Sequence, residues 1–222
     1  MLGFPSKYRL FILAIGASLC FIACKKDKKG TGEIKFAVAE KFTGAPIQGV
    51  AGVFSATQLE GGSFNAGFVD LQTGLTNTAG QLQFNQDISK LVEMKTAFSK
   101  SGYFSQEIKF DKDDFDGQSN FFAPIDLVEI AQVRVHITSE SSNTLDESCA
   151  FSLKTGNPLC TCCSAFTRFL NGPFVDSSWV CQLPANQWLR YEYSITRDEI
   201  PSFYADSIFL EASDTNFVSL TF

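Results

Sequence analysis

The chain reads as an all-β protein made of two consecutive β-sandwich domains behind an export signal. Three observations predict this: 23 Phe among 222 residues, short stretches in which apolar and polar residues alternate, and clusters of Gly, Asn, Thr and Pro that interrupt those stretches. Phe favours strands and needs packed neighbours. Alternation with period two marks a strand with one buried face, and frequent turn signals suit sandwiches better than helical bundles. Hydrophobic residues make up 45% of the chain and charged residues 19%, a composition that supports packed cores and excludes wholesale disorder. The length allows one large or two modest domains.

Lys7 and Arg9 precede an uncharged stretch from Leu10 to Ile22. It is too short to span a bilayer as an ordinary helix and suits the apolar region of a signal peptide. The stretch ends in Phe21-Ile22-Ala23-Cys24, which resembles the lipobox of bacterial lipoproteins: a large apolar residue, a tolerated position, a small residue, then Cys. The resemblance implies cleavage before Cys24 and attachment of acyl chains to it, since a thiolate is the nucleophile that accepts lipid. Cys20 is a rival acceptor, but Leu19 is large for the position before a cut. Two or three acyl chains anchor stably where one does not. Residues 1–23 are thus expected to be a signal peptide and residues 24–31 the lipidated Cys with its tether. Lys25-Lys26-Asp27-Lys28-Lys29-Gly30 is too charged to enter a core. The implied address is the cell envelope, with the outer membrane favoured and the body facing the periplasm or the outside.

The first body spans residues 32–127. Ile34, Phe36 and Val38 alternate with Glu33, Lys35 and Ala37 as a half-buried strand. Thr43-Gly44-Ala45-Pro46 turns the chain, and Val50–Ala56 is a second strand closed by Gly61-Gly62-Ser63. Thr76-Asn77-Thr78-Ala79-Gly80 separates Phe68–Leu75 from Gln81–Phe84 with the spacing of a hairpin. Three motifs here, Thr43-Gly44-Ala45-Pro46-Ile47-Gln48-Gly49, Thr76-Asn77-Thr78-Ala79-Gly80-Gln81-Leu82 and Gly102-Tyr103, resemble the carboxypeptidase regulatory-like domain. That family is a small β-sandwich related in shape to transthyretin. The resemblance implies an Ig- or transthyretin-like fold and an accessory, non-catalytic module, so it supplies no active-site residues. Gly49-Val50-Ala51-Gly52-Val53 carries one residue more than the family pattern. The acidic run Asp111-Lys112-Asp113-Asp114-Phe115-Asp116-Gly117 has carboxylates that a hard cation selects, but Asp116 stands where a calcium loop needs Gly and no Glu closes it. A solvated acidic loop is expected.

The second body spans residues 128–222. Val133, Val135 and Ile137 alternate with Arg134, His136 and Thr138, which places His136 on the polar face. Residues 166–170 and 174–180 flank Asn171-Gly172-Pro173 in the manner of a hairpin. Leu189, Tyr191, Tyr193 and Ile195 alternate with Trp188, Arg190, Glu192 and Ser194, and Val218, Leu220 and Phe222 end the chain in the same way. Cys149, Cys160, Cys162, Cys163 and Cys181 all lie in this half. In an oxidising compartment they are candidates for disulfides, two bonds with one thiol left over. A thiolate metal site built on Cys160-Thr161-Cys162-Cys163 is the sharper alternative, but two separated Cys-x-x-Cys knuckles are lacking.

A single His excludes HExxH and two-histidine metal centres, and no Gly-x-Ser-x-Gly or phosphate-cradling Gly motif occurs. No catalytic residue, metal or cofactor is therefore assigned, though paired carboxylates remain open. Loss of Lys7 and Arg9 with the leader takes the net charge from -6 to -8, which argues against nucleic acid as a partner. The expected partners are the membrane, through the lipid, and other envelope proteins or glycans. A non-catalytic binding or scaffolding module is the leading expectation. Glycan capture through Trp179 and Trp188 is the second, and a carboxylate-dependent envelope hydrolase the third.

Overall fold

The structure, a computed structural model, describes residues 30–60, 63–117, 119–140, 146–154, 167–212 and 214–222. The leader, Cys20, Cys24 and the Lys-rich tether lie outside the described residues, as do Cys160, Cys162 and Cys163. No described helix is long and apolar enough to cross a membrane.

The fold is all-β, and its strands form two sandwiches. In the first, β1 (Thr31–Glu40), β4 (Gln81–Asp87) and β7 (Asn120–Leu127) make a sheet of order β4-β1-β7. It faces a sheet of β2 (Ala51–Glu60), β3 (Ser63–Leu75), β5 (Leu91–Ser99) and β6 (Gln106–Asp111) in the order β3-β2-β5-β6. In the second, β8 (Ile130–Thr138), β11 (Asp176–Pro184) and β14 (Thr215–Thr221) form β11-β8-β14. Opposite lie β9 (Ser148–Lys154), β10 (Arg168–Asn171), β12 (Gln187–Arg197) and β13 (Ile200–Leu210) as β10-β9-β12-β13. Adding seven to every strand number of the first sandwich gives the second. The directions agree as well: β1 runs antiparallel to β4 and parallel to β7, and β8 runs antiparallel to β11 and parallel to β14. The half for which the sequence offered no family is a topological repeat of the half for which it did.

Two expected hairpins are corrected. β3 and β4 belong to different sheets, as do β10 and β11, so Thr76–Gly80 and Asn171–Pro173 carry the chain from one sheet to the other. Turn residues specify that the backbone can reverse; they do not specify the strand it then pairs with.

The first two motifs form one hydrogen-bonded knot. The buried Thr76 hydroxyl donates to Ile47 O (2.6 Å) and accepts from Val50 N (2.9 Å), while Gly49 N donates to Thr76 O and Thr76 N to Val50 O. Asn77 Oδ1 accepts from Ala79 N and Gln81 N, each at 2.9 Å, shaping the turn. Gly80 closes it at φ +71°, where a Cβ would strike the Val38 carbonyl, so both the conformation and the space require Gly. The Gly102-Tyr103 pair acts elsewhere. Gly102 O accepts from Ile130 N, Phe104 N donates to Val128 O, and Tyr103 bridges to Glu129. The third motif therefore ties the β5–β6 turn to the short link between the sandwiches.

The cores differ in kind. The first is built on Phe36, Phe54, Phe84, Phe98, Phe110 and Phe121, with Phe36 edge-on to Phe98 (centroids 5.0 Å) and Phe110 stacked on Phe121 (4.1 Å). The second relies on Val133, Val135, Ile137, Leu183 and Leu189, with Phe151 and Phe222 the buried Phe among the described residues. Trp179, Tyr191 and Tyr193 pack against it, whereas Phe169, Phe174, Phe203, Phe209, Phe217 and Trp188 are exposed. The Phe load read as core material thus serves the core in one sandwich and largely the surface in the other.

Candidate binding surface

The outer face of the β10-β9-β12-β13 sheet gathers four of these outward aromatics, Phe169, Phe203, Phe209 and Trp188. Strand register fixes its composition, because side chains opposite one another share a face. One row runs Phe169, Ala150, Ser194, Phe203; the next Ser152, Glu192, Ala205; the next Lys154, Arg190, Ser207; and the last pairs Trp188 with Phe209. Small side chains at Ala150, Ser152, Ser194 and Ala205 leave a shallow trough of about 440 Å³. Phe169 and Phe203, 73% and 79% exposed, stand at the two ends of the first row. Glu192 is held between two cations, with Lys154 Nζ at 3.1 Å and Arg190 Nη2 at 3.0 Å, so the centre of the trough carries one net positive charge on an acidic protein. Trp188 is 70% exposed and meets Phe209 edge-on at 5.7 Å. The surface offers what a flat, polar partner needs: aromatic faces, hydroxyls and both signs of charge.

The opposite face of the same sheet continues the core and then outruns it. Tyr193 and Tyr204 stack at 4.9 Å, and the Tyr191 hydroxyl donates to Asp206 Oδ2 at 3.0 Å. Desolvation, followed by that hydrogen bond and the Asp206 charge, pushes the Tyr191 phenol up to about 12.

The two tryptophans are not brought together. Trp179 faces inward from β11, edge-on to Phe151 at 5.8 Å and beneath the Arg168 guanidinium at 4.3 Å. Trp179 packs against the core and is withdrawn as a glycan contact; Trp188 keeps that role as a candidate. The cysteines also separate. Cys149 is a free, fully buried thiol whose pKa burial raises to about 11, and it is withdrawn from the candidate disulfides. Cys181 is fully buried on β11. Among the described residues no group of three or more His, Cys, Asp or Glu is placed to hold a metal ion.

His136 lies on the outer face of β8, as its place in the alternation predicts. Its Nε2 is 2.8 Å from Asp176 Oδ1, and Ser178 and Ser219 stand opposite it on the flanking strands. Neither hydroxyl hydrogen-bonds to the ring among the described residues, and the group sits on an open sheet face, so the Ser, His and Asp do not form a relay. The acidic run is organised by backbone capping: Asp111 Oδ1 accepts from Asp113 N, Asp114 Oδ2 from Asp111 N and Asp116 Oδ1 from Asn120 N. It forms a short 3-10 turn over Lys112–Asp114, with the neighbouring Phe115 buried in the first core.

Phe203, Phe209 and Phe169 escaped the sequence reading. Apolar residues occupy both parities of β13 (Ile200, Phe203, Tyr204, Ile208, Phe209), so period two is not visible there. The Trp188, Arg190, Glu192, Ser194 row was visible as the polar half of the β12 alternation.

No family model matches the chain, and no curated protein matches it in sequence. Solved structures that it resembles include the Bacillus anthracis TIE protein, at 8% identity and TM-score 0.39, covering 86% of this chain and 34% of that one. The full-length major pilin SpaD from Corynebacterium diphtheriae gives 10% identity and TM-score 0.36, covering 84% and 64%. Shaft pilin SpaA from Lactobacillus rhamnosus GG gives 10% and 0.31, covering 87% and 98%. The chain spans about a third of the TIE protein's length.

Proposed function

We propose that this chain is a cell-envelope lipoprotein, tethered by acyl chains on Cys24 and favouring the outer membrane, whose two sandwiches act as a non-catalytic module that binds or scaffolds other envelope components. The observation that carries the binding role is the set of exposed aromatics on one sheet face of the second sandwich. Phe169, Phe203, Phe209 and Trp188 stand outward there beside a charged trough. Exposed aromatic clusters mark interaction surfaces. The likeness of the first body to a carboxypeptidase regulatory-like domain supports an accessory role, since its motifs serve turn-to-turn stitching. Within this reading Cys181 is disulfide-bonded to one of Cys160, Cys162 and Cys163 in the oxidising envelope.

The test is photo-crosslinking in intact cells with a reactive residue at Phe203 or Trp188, compared with one at Lys35 on the first sandwich. A discrete envelope partner captured from the first two sites and absent from the third supports the proposal. No captured partner, together with turnover of an envelope polymer by the purified lipoprotein, overturns it.

A second reading, glycan capture, is favoured by one observation: Trp188 presents its indole beside Phe209 and a row of hydroxyl and charged groups. Indole faces stack on sugar rings. Binding to a glycan array that survives Trp188→Ala rejects it.

A further inference from the structure

We propose that β13 is the contact strand of a two-fold homodimer, pairing antiparallel with β13 of a second copy about an axis through Tyr204. β13 is an edge strand, and among the described residues nothing pairs with its free side. The internal repeat supplies the comparison. Its counterpart β6 is also an edge, but β6 has six residues and carries Glu107, Lys109 and Asp111, the short length and charge with which proteins block edge pairing. β13 has eleven residues and Asp206 as its one charged side chain.

The backbone phase follows from the turn. Asp198 and Glu199, at φ +51° and +65°, form a two-residue turn between Arg197 and Ile200, which makes Arg197 and Ile200 a hydrogen-bonded pair. Even-numbered residues of β13 then bond to β12, and the N–H and C=O of residues 201, 203, 205, 207 and 209 point to the free edge.

With the axis at Tyr204, Phe203 exchanges two bonds with Ala205 of the second copy and receives the same in return. Ser207 N–H meets the Pro201 carbonyl on each side, giving about six bonds in all. Pro201 lacks an N–H, which costs this register one bond on each side. The side chains are self-complementary in the same register: Ile200 opposes Ile208, Ser202 opposes Asp206, bulky Phe203 opposes small Ala205, and Tyr204 opposes itself. The ring stack of Tyr193 and Tyr204 would extend into four rings. Asp206 meets a hydroxyl rather than its own copy, so two acidic chains join through a nearly neutral strand. Phe203, Tyr204, Phe209 and Trp188 expose on the order of 500 Å² of aromatic surface. Edge-to-edge pairing covers part of that surface, which with the backbone edge gives an interface at the small end of the size range.

Full-length lipidated protein in its native membranes, carrying Tyr204→Cys, is oxidised and run without reductant beside wild type. Directly opposed residues lie about 4.5 Å apart at Cα, within disulfide reach. A reductant-sensitive dimer is therefore expected with Tyr204→Cys. Ser202→Cys or Asp206→Cys alone should give none, because each lies four positions from its own copy, yet the two variants co-expressed should crosslink. Concentration-dependent dimerisation of wild type in detergent by sedimentation is the second readout and needs no substitution. No crosslink at position 204, equal crosslinking at all three positions, or a wild-type monomer throughout overturns the inference.

Discussion

Replacing Thr76 by Val tests the knot that unites the first two motifs. The side chain keeps its shape and loses one hydroxyl. That hydroxyl satisfies Val50 N at 2.9 Å and Ile47 O at 2.6 Å, and Ile47, Val50 and Thr76 are all buried. Leaving a buried donor or acceptor unmatched costs about 1–3 kcal/mol each, so the pair amounts to about 3 kcal/mol. With a urea dependence of about 1–3 kcal/mol per molar for a domain of this size, the midpoint should fall by about 1–3 M. The assay is urea unfolding followed by far-UV circular dichroism, which reads both sandwiches, beside tryptophan fluorescence, which reads the second alone because Trp179 and Trp188 both lie there. The loss belongs in the dichroism transition. A midpoint within about 0.3 M of wild type, below 1 kcal/mol on the same scale, would refute the claim that this hydroxyl holds the two turns together.

Gly80→Ala should destabilise the first sandwich by more than the about 1–2 kcal/mol of a left-handed Ala, because the new methyl meets the Val38 carbonyl; thermal unfolding checks it. Trp179→Ala should cost about 3–5 kcal/mol as a large packed aromatic, whereas exposed Trp188→Ala should stay within about 0.5 kcal/mol, so the reverse order by urea titration would invert the assignment of faces. Cys149 should resist alkylation at pH 8 in the folded chain and react once urea is added. Its thiol ionises near 9 in the unfolded chain and near 11 when folded, so the unfolded state loses its proton first and stability falls as pH climbs between those values. Constant stability from pH 9 to 11 contradicts that.

Strands with one buried face were legible because burial imprints alternation: Ile34, Phe36 and Val38, or Val133, Val135 and Ile137, are buried as their spacing predicts. β13 was not, since residues 200–207 are exposed on both faces of the strand and no burial imprints alternation on them. Pairing partners were less legible than strands. Asn171-Gly172 signals a reversal whether the chain stays in its sheet or crosses to the other. The repeat was hidden because the knot of Thr76 and Gly80 has no sequence counterpart between β10 and β11, where Asn171-Gly172-Pro173 does the turning. Shared sheet order survives such replacement because it depends on which faces are apolar and not on which residues turn the chain. Of the binding surface, Trp188 and its alternating neighbours could be read locally. The Phe169-to-Phe203 row could not, since it exists only once four strands are placed side by side.

The tether is the claim on which the protein's address rests, and the mature N-terminus tests it directly. Mass spectrometry of the protein extracted from membranes should find a first residue of Cys24 carrying a diacylglycerol thioether, with the chain released to the soluble fraction in Cys24→Ala. A mature chain beginning at another residue and bearing no lipid would contradict the account.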